Sequence, residues 1–160
     1  MKRRADPILE DLRTLGHEAG HGVAVVVLGA RLIRIVAHRN SSDGDSRGFV
    51  EYLPDHLTPW QEAFVALAGI ACGEGAAVLV NRNTADEREA LELVGDVAVL
   101  DEVRRAVYRW SLRRDVTAMV RALSGALMDA PDATLPGLPA EQIVRTALAQ
   151  HRTQRFSRPA

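Results

Sequence analysis

The sequence predicts an α+β fold, mostly helical, in which an apolar helix carrying H-E-x-x-H leads into a small β-hairpin or meander and then a helical bundle. Three observations carry that prediction. Residues Ile8 to Leu28 form one largely apolar stretch, with Asp6 placed to cap it and Pro7 in its first turn. Two runs, "RLIRIVAHR" and "RGFVEYL", are rich in branched and aromatic residues and enclose the polar turn "NSSDGDS". From Thr58 onward, helix-start signatures and apolar residues at helical spacing recur.

The elements follow in order. The first helix runs from Ile8 to Leu28, and Gly29 ends it. The two β-rich runs pair as strands. "TPWQ" starts the next helix with a Thr cap, a Pro in the first turn and Gln three residues on, and that helix runs to about Val80. "NRN" is a loop. "TADE", Thr84 to Glu87, is another capping box that opens a short helix ending at Val94, before Gly95. Asp96 opens a longer helix toward Trp110, with Val97, Leu100, Val103 and Val107 on one face. A further helix covers about Asp115 to Met128, "DAPDATLPGLP" reads as a loop, and a last helix spans Ala140 to His151. The whole is one domain, 1–160, with a core over about 8–150 and a tail over 151–160 that frays.

Composition narrows the class. Apolar residues make up 47% and charged residues 26%, the balance of a soluble globular chain. A net charge of −1 gives no bulk field for nucleic acid. The basic clusters Lys2-Arg3-Arg4 and Arg104-Arg105 read as a tail and a solvated helix face. The single cysteine, Cys72, excludes an internal disulfide and a Cys-rich zinc site and reads as a small core residue. The longest apolar stretch, Gly22 to Ala30, falls well short of the ~20 residues of a membrane span. The expected location is the cytoplasm.

The chemistry concentrates in "HEAGH". His17 and His21 are one helical turn apart, so their imidazoles face the same way and can share one metal ion. Glu18 is placed to take a proton from a water that a zinc ion activates and to pass it to the leaving amine. Titratable groups at the edge of "GVAVVVLG" are costly unless paired or metal-bound. A catalytic zinc needs a third protein ligand and an open position. No histidine stands at the short metzincin spacing, where Val27 is found. The candidates are Glu62, Glu74, Asp96 and Asp101. Asp96 follows a helix-breaking glycine and can project from a helix start, although a plain helix cap is the competing reading. Asp101, mid-helix beside Glu102, reads more simply as a solvated carboxylate.

Gly69, Gly73 and Gly75 interrupt an apolar helix, and close packing against the His17–His21 helix is the expected reason. Glu74 is placed to support a zinc histidine from outside the ligand set, with a solvated role equally open. His38, His56 and His151 read as surface histidines, and Trp60 and Trp110 as core or interface anchors. The strand "RGFVEYL" offers an edge on which an extended peptide can add.

Taken together, "HEAGH", "RGFVEYLP", "LAGIACGEGAAVLV" and "GDVAVLDEVRRA" resemble the peptidase domain of FtsH-type zinc metalloproteases, over about Leu12 to Leu148. The closing "LPGLPAEQIVRTAL" resembles the end of that domain. By position, the resemblance implies His17 and His21 as zinc ligands, Asp96 as the third, and Glu18 as the catalytic glutamate. It implies Zn2+ as cofactor and a protein or peptide as substrate.

The departures are the absence of a G-x-x-x-x-G-K-[ST] phosphate loop and of a membrane span, and a shorter stretch after the Asp96 helix. The expectation is therefore a metalloendopeptidase acting on flexible or unfolded segments, with any unfoldase ATPase a separate partner and a homo-oligomer open. The competing class is a non-catalytic interaction or assembly module of the same fold.

Overall fold

The computed structural model describes residues 7–37, 48–73 and 84–156, and of 7–11 and 154–156 only the backbone. Helix α1 (Pro7–Val27) is followed by strands β1 (Arg31–Ala37) and β2 (Gly48–Leu53). Then come helices α2 (Pro59–Gly73), α3 (Ala85–Val94), α4 (Val97–Ser111) and α5 (Arg114–Asp129). A 3-10 turn (Pro131–Ala133), strand β3 (Thr134–Pro136) and helix α6 (Gly137–Phe156) complete the order. The fold is α+β and mostly helical.

Local chemistry sets the boundaries. Gly29, at φ +81°, turns the chain out of α1. Thr58 and Gln61 cap α2 reciprocally: the Thr58 N–H donates to Gln61 Oε1 at 2.9 Å, and the Gln61 N–H to Thr58 Oγ1 at 3.3 Å. Thr84 accepts from the Glu87 N–H at 3.2 Å to start α3, and Gly95 ends it at φ +68°.

The β1–β2 hairpin forms as expected, antiparallel and with a register shift between Leu32 and Arg34. The sheet order is β2-β1-β3, which leaves β2 at one edge. Strand β3 lies inside the segment read as loop. A three-residue strand carries too little alternation to register in sequence, and "TLP" pairs because α6 folds back against β1. For the same reason α6 starts at Gly137, earlier than Ala140, and it continues to Phe156.

Helix α2 is the centre of the molecule. Every residue from Ala63 to Ala71 is buried, because α1, α3 and α4 all pack around it. Its small residues let α1 come close: a Cβ on Gly20 would lie 2.7 Å from the Ala68 carbonyl oxygen, and one on Gly73 2.8 Å from the His17 nitrogen. The expected close packing through Gly69 and Gly73 is therefore present; Gly75 lies outside the described residues.

Trp110 is buried and stacks edge-on against Phe64 at 5.3 Å, with half-buried Trp60 on the other side of that ring. On α4, Leu100, Val103 and Val107 are buried as expected, but Val97 is 60% exposed. The first helical residue sits before the packing face has come round. No helix among the described residues is long and apolar enough to cross a membrane.

Candidate metal site

The imidazoles of His17 and His21 leave α1 one turn apart and meet, Nε2 to Nε2, at 3.0 Å. His21 Nδ1 lies 2.8 Å from the Val65 carbonyl oxygen. A carbonyl can only accept, so Nδ1 carries the hydrogen and Nε2 keeps its lone pair for a ligand. The ring occupies the space left by Gly69, where any Cβ would overlap it. The α1–α2 packing thus fixes the ring's position, and the Val65 carbonyl fixes its tautomer.

The third donor is Asp86, the second residue of α3. Its Oδ2 lies 3.1 Å from His17 Nε2 and 3.8 Å from His21 Nε2. Zinc bonds of ~2.0–2.1 Å in a tetrahedron imply ligand-to-ligand edges of about 3.3 Å. The three separations, 3.0, 3.1 and 3.8 Å, bracket that value. Two imidazole nitrogens and a carboxylate oxygen converge with no ammonium or guanidinium among them, a donor set that fits a divalent ion of the zinc type.

Asp96 is not part of this group, which corrects the ligand expected from the sequence. Its side chain accepts from the Ala98 N–H at 2.7 Å as the cap of α4, and the residue is exposed. The cap reading holds for Asp96. The other candidates are also elsewhere: Asp101 pairs with Arg104 at 2.7 Å, Glu62 stands half-buried near Tyr52, and Glu74 lies outside the described residues, as does His38. His56 is exposed and His151 half-buried, apart from the site.

Asp86 escaped notice because an acid in the first turn of a helix is already explained by the helix dipole. A usable signal was present. Ala90, Leu93 and Val94 mark the inward face of α3, and one turn back from Ala90 places Asp86 on it.

Glu18 is 4% exposed, and its Oε2 is buried without a hydrogen-bond partner. Gly48, the first residue of β2, presses against it and has no room for a Cβ. Burial raises the Glu18 carboxyl to about 7, with nearby His17 lowering it and Asp86 raising it. Burial lowers His21 to about 4, reinforced by His17 and opposed by Asp86 and the Val65 contact. Burial disfavours ionised Asp86, but the hydrogen bond from His17 and the charges of both histidines outweigh it and hold the acid below its ordinary value.

A cleft of about 200 Å³ opens over the group. Its walls are the three donors, Glu18, the β2 residues Gly48, Phe49, Val50 and Tyr52, and Glu89 of α3. Tyr52 is raised to about 12, by burial first and then by Glu62 and Glu89, so its phenol stays protonated.

Compared with models of known protein families, with curated proteins and with solved structures, the chain matches none.

Proposed function

We propose that the protein is a zinc-dependent metalloendopeptidase that hydrolyses peptide bonds in flexible or unfolded protein segments. The observation that carries this reading is the convergence of His17, His21 and Asp86 beside a buried Glu18, whose Oε2 has no hydrogen-bond partner, in one cleft. The order H-E-x-x-H and the resemblance to FtsH-type peptidase domains support it.

His17 Nε2, His21 Nε2 and an Asp86 oxygen would hold the ion. Zinc supplies a Lewis acid that polarises a carbonyl and lowers the pKa of water to about 7. Glu18 takes a proton at its carboxylate from a water in the cleft and gives it to the departing amide nitrogen. Burial raises this carboxyl to about 7 when no ion is bound, and a cation beside it favours the carboxylate form that accepts the proton.

Strand β2 is a sheet edge whose residues Gly48, Phe49, Val50 and Tyr52 line the cleft, so an extended peptide can be oriented along it by main-chain hydrogen bonds. An already extended peptide is the substrate form that suits this edge.

The test is cleavage of an unfolded, casein-like substrate by protein that retains zinc. The parent should bind about one zinc per chain and cleave, and Glu18→Gln should bind as well and not cleave. If zinc-loaded parent and Glu18→Gln are equally inert on every unfolded substrate, the site is not catalytic and the fold serves as an interaction module instead.

A further inference from the structure

Helix α3 packs on α2 through buried Ala90 and half-buried Leu93 and Val94, all in its C-terminal half. Its ten residues bury only Glu87 and Ala90, and Glu87 is charged. Asp86, at the opposite end of α3, must sit within about 0.5 Å of its place beside the two imidazoles if all three are to share an ion.

That N-terminal turn is tied to α4 by an ion pair. Glu87 is 6% exposed, and its Oε1 accepts from Arg104 Nη2 of α4 at 2.7 Å. The other arm of the same guanidinium donates from Nη1 to Asp101 at 2.7 Å, which fixes the plane of the fork. Arg104 is therefore not the solvated residue that the Arg104-Arg105 pair suggests in sequence: its side chain is only 20% exposed. A buried ion pair adds little net stability over apolar residues of the same volume, because both charges lose water. It does impose one geometry, since the two carboxylates accept from Nη1 and Nη2 at set distances and angles, while the buried Nε has no partner.

We propose that Arg104 is a positioning residue for the metal site, acting through Glu87 to set the place of Asp86. This rests on the metal-site reading above. Arg104 is not one of the three converging donors and does not line the cleft. It grips the residue next to the acid ligand, and Thr84, which accepts from the Glu87 N–H at 3.2 Å, closes the same turn from the other side.

The experiment uses full-length protein stripped with a chelator and titrated with zinc against a chromophoric competitor, with thermal unfolding of the apo form run in parallel. Four proteins are compared: the parent, Asp86→Asn, Arg104→Met, and the double variant Glu87→Met with Arg104→Met. The single Arg104→Met removes the guanidinium from a buried carboxylate and should lower both apo stability and zinc affinity. The double variant removes both charges, so its apo stability should return to about that of the parent. Its zinc affinity should stay about tenfold or more below the parent, within the range for losing an outer support of a metal ligand.

Recovery of both stability and affinity in the double variant would overturn the proposal, because the pair would then be structural only. If the parent binds no zinc, or Asp86→Asn binds as tightly as the parent, the metal-site reading itself fails and the positioning role goes with it.

Discussion

The two sides of the candidate metal site are built by opposite means. The imidazole side is packing. His21 sits in the gap at Gly69 with its tautomer set by Val65, on helices that touch through glycine. The acid side is electrostatics. Asp86 stands, 23% exposed, at the start of a short polar helix tied down by Glu87 and Arg104. The difference teaches that a site's precision can come from shape on one side and charge on the other, and that the two should fail differently.

The largest expected effect tests the chemistry that both sides serve. Glu18→Gln should reduce peptide cleavage by roughly 10²–10⁴-fold, the usual range for a general base, at unchanged zinc content. Next is the shape-built side. Gly69→Ala leaves every donor in the sequence but drives a methyl group into the His21 ring. Zinc affinity should fall by more than the roughly 100-fold that marks the upper range for an indirect change. If Gly69→Ala binds zinc like the parent, the packing account of the imidazole side is broken.

A pH series separates the buried groups of the apo protein. Glu18 has a folded pKa raised to about 7, so the folded state binds the extra proton and stability is lost as pH rises from the unfolded value of 4.5 through 7. The effect is on the order of 3 kcal/mol. His21 is lowered from 6.5 to about 4, so its effect has the opposite sign and stability is lost as pH falls through that interval. Apo Glu18→Gln should therefore be more stable than apo parent at pH 8 and close to it at pH 4, as read by thermal unfolding.

The smallest effect sharpens the assignment of the acid. Asp96→Ala removes the α4 cap and should cost about 1 kcal/mol, with zinc affinity unchanged. A loss of zinc binding in that variant would return Asp96 to the ligand set.

Much of this was legible in the sequence, and unevenly so. "HEAGH" states its geometry because a helix converts a spacing of four into a shared face. The hairpin, both capping boxes and the role of Gly69 and Gly73 follow from equally local rules. The acid ligand does not, because no local rule connects residue 86 to residue 21. Asp86 and Asp96 both stand at helix starts, and sequence pattern placed the wrong one at the site. Only packing decides between them, since Asp96 is occupied by its own helix and Asp86 faces inward from one that α4 holds in place. Strand β3 was missed for a related reason, since three residues pair where a distant helix brings them.

The slot at Gly69 has one more consequence, for traffic. A ring wedged between two packed helices and hydrogen-bonded at its back cannot swing aside. The carboxylate opposite can turn about a side-chain bond at the rim of the cleft. For the proposed ion, the carboxylate's side is therefore the route of exchange that this geometry leaves open.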